Sequence, residues 1–153
     1  MNRILLYGPP LAGKTTIVEG VARASGTNVE SFHVAASHDP HHRCRGTRAA
    51  LDSEWEVRTL TGPAQTDEMW TELLCDAAAV VLVLDGQRER SDANRFWLER
   101  LAGAAPSRGC VVITKQDLCD AISLAATARL LDDTHFARWP VSFDGQRAVL
   151  ALR

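Results

Sequence analysis

The chain has 153 residues, 46% of them hydrophobic, enough for one well-buried core and short for two, so a single domain over residues 1–153 is expected. A formal charge of −2 leaves no broad basic excess and argues against nucleic acid as a partner. No apolar run approaches the roughly 20 residues of a membrane span.

Other signals point the same way. "RILLY" is too short for a secretory leader, and neither Asn2 nor the terminal "ALR" fits a lipid anchor. Cys44, Cys75, Cys110 and Cys119 form no CxxC pair and read as reduced thiols. A cytoplasmic protein is the expectation.

In chain order, Arg3–Tyr7 is a short apolar run stopped by Gly8-Pro9-Pro10, which predicts a buried parallel strand. Lys14 to Ala24 sets Ile17, Val18 and Val21 on one helical face, with Gly26 where the helix should end. The polar run "SHDPHHRCRGTRAA" reads as a loop with a possible edge strand at Arg48–Leu51. Glu54–Thr61 alternates Trp55, Val57 and Thr59 with Glu56 and Arg58, as a half-buried strand would. "TDEMWTELLCDAA" spaces Met69, Trp70, Leu73 and Leu74 helically, and Ala78–Asp85 is an unbroken apolar strand. "SDANRFWLERLAG" predicts a helix from a Ser91 cap to Gly103. Cys110–Thr114 is a further strand, Ile122 to Leu131 a helix, and "WPVS" a last edge. This alternation predicts an α/β fold, a mostly parallel central sheet with helices on both faces.

The stretch "YGPPLAGKTT" matches G-x-x-x-x-G-K-[ST] at Gly8, Gly13, Lys14 and Thr15, between a predicted strand and a predicted helix. Such a loop turns its N–H groups inward at the positive end of a helix and makes a phosphate cradle. Gly8, Pro9, Ala12 and Gly13 are the loop positions expected around the phosphates. Lys14 would oppose the β- and γ-phosphates, Thr15 would offer Mg²⁺ a hard oxygen, and Thr16 would reach the α-phosphate.

The end of the strand Cys110–Thr114 carries "TKQD", Thr114 to Asp117. A carboxylate there can accept both N1–H and N2–H of guanine, donors that adenine lacks. The Lys115 stem can lie along the base with its ammonium solvated. At these residues the chain resembles the Ras-like small GTPases and their [NT]KxD motif. Thr114 in place of the commoner Asn implies looser guanine binding. "PVSFDG" falls where that family has SA[KL], so the resemblance carries Ser142 and Phe143 to the guanine O6; an ordinary strand exit is the other reading.

"TGPAQ", Thr61 to Gln65, is similar to the TxPGQ of bacterial MglA-type GTPases, as are "VLVLDGQRERSDANRFWLERL" and "TKQDLCDAISLAATARLL". The similarity spans most of the chain apart from about Asn28 to Ser53. It implies a P-loop NTPase of the Ras-like G-domain type that binds GTP or GDP with Mg²⁺ and switches on slow hydrolysis. Gln65 then orients the attacking water, and a GAP-like activator and an effector are the expected protein partners. Ala64 stands where the family has the glycine that senses the γ-phosphate. A second alignment sets Thr59 and Gly62 in the key positions and leaves Pro63 where the glutamine belongs. The resemblance makes Thr47 the candidate switch threonine on Mg²⁺, and Arg43, Arg45 or Arg48 a candidate cis arginine.

Two readings stay open beside the switch. Ala64 suggests a pseudo-GTPase, a nucleotide-stabilised binding module without hydrolysis. "VVLVLD" looks like a Walker B strand ending at Asp85, which would fit an ATP-binding kinase or ATPase. His38, His41, His42 and Cys44 are zinc-binding types, but no second cluster completes a tetrahedron, and a polar switch loop is the expected reading.

Overall fold

The computed structural model describes residues 1–36, 39–62, 65–104 and 109–115. In chain order these form β1 (Asn2–Tyr7), α1 (Lys14–Ser25), β2 (Glu30–Ala36), β3 (Asp39–Ala50), β4 (Trp55–Thr61), α2 (Asp67–Cys75), β5 (Ala79–Asp85), α3 (Ser91–Ala104) and β6 (Gly109–Thr114). The expected helix at Ile122–Leu131 and the "WPVS" edge lie outside the described residues.

The strands make one six-stranded sheet in the order β2-β3-β4-β1-β5-β6. β1 runs parallel to both β4 and β5, and β5 runs parallel to β6. β2, β3 and β4 are joined antiparallel. The fold is α/β with a mostly parallel sheet, as a P-loop NTPase requires.

Alternate residues of the central strands feed two apolar layers, because successive side chains point to opposite faces. On one face Ile17, Val18 and Val21 of α1 cover Ile4, Leu6, Val57, Val81 and Val83. On the other, Trp70 and Leu73 of α2 and Leu98 and Leu101 of α3 cover Leu5, Tyr7, Leu60, Leu82 and Leu84. Tyr7, Trp70 and Trp97 meet edge to face, with centroids 4.9, 4.8 and 5.7 Å apart. This aromatic knot fixes the last residue of β1, where the phosphate loop departs.

Local rules explain the helix ends. Gly26 closes α1 at φ 66°, and the Thr27 N–H donates to the Ala22 carbonyl at 2.9 Å. The Thr66 hydroxyl caps α2 by accepting from the Met69 N–H, with Asp67 and Glu68 in the first turn. α3 follows directly on a 3₁₀ turn at Arg88–Arg90 and runs through Gly103 to Ala104, one residue beyond the expected end.

Two expectations need correction. The run read as a loop carries β3, which pairs antiparallel with β2 as a hairpin, with Phe32 opposite Gly46 and Ser31 opposite Thr47. A Cβ on Gly46 would come within 2.2 Å of the Phe32 ring, so the glycine makes room for that aromatic. Glu56 and Arg58 are buried rather than solvent-facing. Arg58 donates to Asp76 at 2.7 Å, and Arg3 spans Asp76 and Glu56 at 2.6 and 3.3 Å, so the two charges enter the sheet already paired. Among the described residues, no helix is long and apolar enough to cross a membrane.

Candidate nucleotide-binding site

The phosphate loop leaves β1 at Gly8 and enters α1 at Lys14. Gly8 has φ 139°, and a Cβ there would stand 2.1 Å from the Val83 carbonyl oxygen, so only glycine lets β1 turn this close to β5. Gly13 follows at φ 86° and leads into α1 without a side-chain cap or any acidic residue in the first turn. The positive end of the helix is thereby left to a ligand. Between the glycines, Leu11 holds a left-handed φ of 64° and is 73% exposed.

Lys14 is only 6% exposed. Its ammonium donates to the Gly8 and Pro9 carbonyls at 2.8 and 2.6 Å. Among the described residues, its hydrogen bonds go to these two carbonyls and none goes to a carboxylate. Burial pushes its pKa down to about 8. A buried cation satisfied by carbonyl dipoles alone is suited to an incoming polyanion, which returns the missing counter-charge.

The loop faces a cavity of about 680 Å³ lined by Pro10, Leu11, Gly13, Lys14, Thr15, Thr16, Leu60, Thr61, Gly62 and Gln65. The loop and the end of β4 thus come together. Gly62 takes φ 87°, and the Gln65 carboxamide donates to the Gly62 carbonyl at 2.7 Å, which leaves its oxygen to accept. Pro63, Ala64, Asp117, Ser142 and Phe143 lie outside the described residues.

The Thr114 hydroxyl, at the end of β6, shares its proton between the Ala12 carbonyl at 2.9 Å and the Leu84 carbonyl at 3.1 Å. Thr114 also lies beside Gly13, whose Cβ position is 3.7 Å from the threonine methyl. The start of "TKQD" is therefore fastened to the phosphate loop. Lys115 has φ 58°, and its partly exposed side chain brings the ammonium to Asp85 at 2.7 Å and Gln87 at 3.0 Å.

Thr47 does not line the cavity. It sits mid-strand in β3, between Ser31 and Thr59, with its hydroxyl buried and unpaired. Arg45 donates to Ser31 and Arg48 to Glu30, and none of Arg43, Arg45 and Arg48 is on the cavity wall. Among the described residues, no group of three or more His, Cys, Asp or Glu could hold a metal. Cys44 turns its thiol to the Thr61 carbonyl at 3.3 Å, and burial raises its pKa.

The family model described as "ATPase family associated with various cellular activities (AAA)" matches residues 4–86, more than half of the chain. The chain belongs to the AAA family. Membership makes it a P-loop NTPase and implies nucleotide and Mg²⁺ use together with nucleotide hydrolysis. The match is not specific to MglA-type GTPases, whose likeness rests on the motifs alone. No curated protein matches the chain by sequence.

In this AAA-family chain the residues present suit both groups. The loop brings Lys14 to the cavity for phosphate, and Thr15, also on the cavity wall, would offer a hydroxyl to Mg²⁺. Asp85 is not on that wall. Its two carboxylate oxygens are taken by the Gln87 N–H and the Lys115 ammonium. No sequence motif specifies Leu11, the Thr114–Ala12 tie or the Asp85–Lys115 pair. The latter two join positions far apart in sequence, and no local pattern announces them.

Proposed function

We propose that this protein is a guanine-nucleotide switch that binds GTP or GDP with Mg²⁺ and hydrolyses GTP slowly. The observation that carries the reading is the Thr114 tie: the strand end that begins "TKQD" is bonded to the phosphate loop at Ala12. Asp117, two residues beyond Lys115, would then be close enough to accept the paired N–H donors of guanine. Ser142 and Phe143 would approach O6. Phosphate would be held by the amides of the loop and by Lys14, with Thr15 as the protein's ligand to Mg²⁺; the metal supplies charge neutralisation on the phosphoryl oxygens. Gln65, tethered to Gly62 at the cavity wall, keeps an oxygen with which to orient a water. A GAP-like activator and an effector would read the Thr61–Gln65 segment.

Single-turnover hydrolysis tests the switch against the pure binding module. Gln65→Ala is expected to slow GTP cleavage by about 10- to 100-fold with GTP affinity retained. Equal and vanishing rates in wild type and variant would favour a nucleotide-stabilised module that signals by contact.

ATP hydrolysis is the second reading, favoured by the family match itself. Against it stands Asp85, the residue that would serve as the Walker B carboxylate, which is committed to Lys115 and absent from the cavity wall.

A further inference from the structure

Asp85 is the most deeply buried carboxylate among the described residues, its side chain 1% exposed at the end of β5. Its polar contacts join the end of β5 to α3, to the turn at Gln87 and to the end of β6. Its backbone is gripped from α3 by Asn94, which accepts from the Asp85 N–H at 3.1 Å and donates to the Asp85 carbonyl at 2.6 Å. One carboxylate oxygen accepts from the Gln87 N–H at 3.1 Å, and the other receives the Lys115 ammonium at 2.7 Å. Gln87 adds its own side-chain oxygen to that ammonium at 3.0 Å.

Lys115 itself stands in a left-handed conformation that a side chain with a Cβ disfavours, φ 58°. Such a conformation persists when its surroundings over-determine it. Here the surroundings are the ion pair on one side and, on the other, the Thr114 hydroxyl, whose one proton is shared between the Ala12 and Leu84 carbonyls. The Gly86 N–H to Thr114 carbonyl bond, 3.0 Å, closes the same corner.

We propose that Asp85 is a positioning residue for base recognition. It holds Lys115, and through Lys115 the left-handed turn that sends the chain on toward Asp117. The inference rests on the guanine reading above. Among the described residues the hydrogen bonds of Asp85 go to Asn94, Gln87 and Lys115, none of them in the phosphate loop, and Asp85 is not on the cavity wall, so its effect is expected at the base end of the ligand.

The experiment compares two ligands, GTP and inorganic tripolyphosphate, which share the phosphate contacts and differ in the base. Asp85→Asn keeps the shape and removes the charge that holds the ammonium. It is expected to lower the preference for GTP over ATP about tenfold and leave tripolyphosphate affinity at the wild-type value. Lys115→Met keeps the stem and removes the ammonium, and it should lower the preference equally; the double variant should lose no more than either alone. If Asp85→Asn does not fold by circular dichroism, Lys115→Met decides by the same two titrations.

An unchanged GTP preference in these variants overturns the proposal. So does a parallel loss of GTP and tripolyphosphate, which would make Asp85 a support for the whole loop. A wild type that binds GTP and ATP alike overturns the base reading, and the positioning role falls with it.

Discussion

Lys14→Met is expected to weaken nucleoside triphosphate binding by about 100- to 1,000-fold while leaving the unliganded protein at least as stable as wild type. The two effects share one cause. In the folded protein the ammonium is buried against two carbonyl oxygens, and burial lowers its pKa from 10.5 to about 8. A group whose folded pKa lies below its unfolded value destabilises the fold while it is charged, so unliganded stability should rise as pH climbs from about 8 to 10.5. Methionine keeps the stem, removes that charge and abolishes the rise. A charged hydrogen bond to phosphate contributes about 1.5–3 kcal/mol, and Lys14 would make more than one, hence the predicted loss.

The same pKa gives the binding reaction a pH signature. Phosphate favours the ammonium form, so binding takes up a proton at pH values above about 8. Triphosphate affinity of wild type should therefore fall about tenfold between pH 7 and pH 9, and that of Lys14→Met should not follow. Calorimetric titrations in buffers of different ionisation enthalpy read the proton directly. A wild type with pH-independent affinity, or a Lys14→Met that binds normally, would remove Lys14 from the site.

The second large effect belongs to Gly8. Alanine there must place its Cβ where the Val83 carbonyl oxygen already stands, 2.1 Å away, at a φ of 139° that side chains rarely adopt. Relief requires β1 and β5 to separate at the point where the loop begins, and these strands form the middle of the sheet. A loss of about 3–4 kcal/mol is expected. Gly13→Ala provides the control. Its nearest neighbour would be the Thr114 methyl at 3.7 Å, so only the φ of 86° is penalised, by about 1–2 kcal/mol. Urea denaturation of the two variants should rank them in that order. Equal losses would mean that the loop, rather than the β1–β5 contact, sets the requirement for glycine at position 8.

How much of this was legible in the sequence follows from where each signal resides. The phosphate loop was legible because its residue types, spacing and flanking elements all lie within a dozen positions. β1, β5 and β6 were legible because strands buried on both faces read as unbroken apolar runs. The β2–β3 hairpin was not. His41, Arg43 and Arg45 face water on an antiparallel pair, and Pro40 and Gly46 look like breakers. Pro40, however, stands one residue into β3, where a strand tolerates it, and Gly46 is there for the Phe32 ring. Phe32, Val34 and Ala36 did carry the alternation of a strand.

Glu56 and Arg58 show the same limit in another form. Alternation called them solvent-facing, but partners from β1 and from the end of α2 bring them inside as ion pairs. The candidate site was legible in its phosphate half and only partly beyond it. Gln65 does reach the cavity with Thr61 and Gly62, whereas Thr47 is a paired strand residue, because the hairpin that contains it was not foreseen. The role of Asp85 could not have been read locally, since Lys115 is 30 residues away in the chain.

In the proposed function, the phosphate loop and the segment beginning at Thr114 together select a guanine nucleotide. Displacement of a fluorescent GDP from the purified, nucleotide-free protein by GTP and by ATP, in Mg²⁺ buffer, tests it most directly. GTP should compete at least about 100-fold better than ATP, because adenine leaves a recognising carboxylate unpaired. Equal competition by the two triphosphates would contradict the account and return the chain to the ATPases of its family.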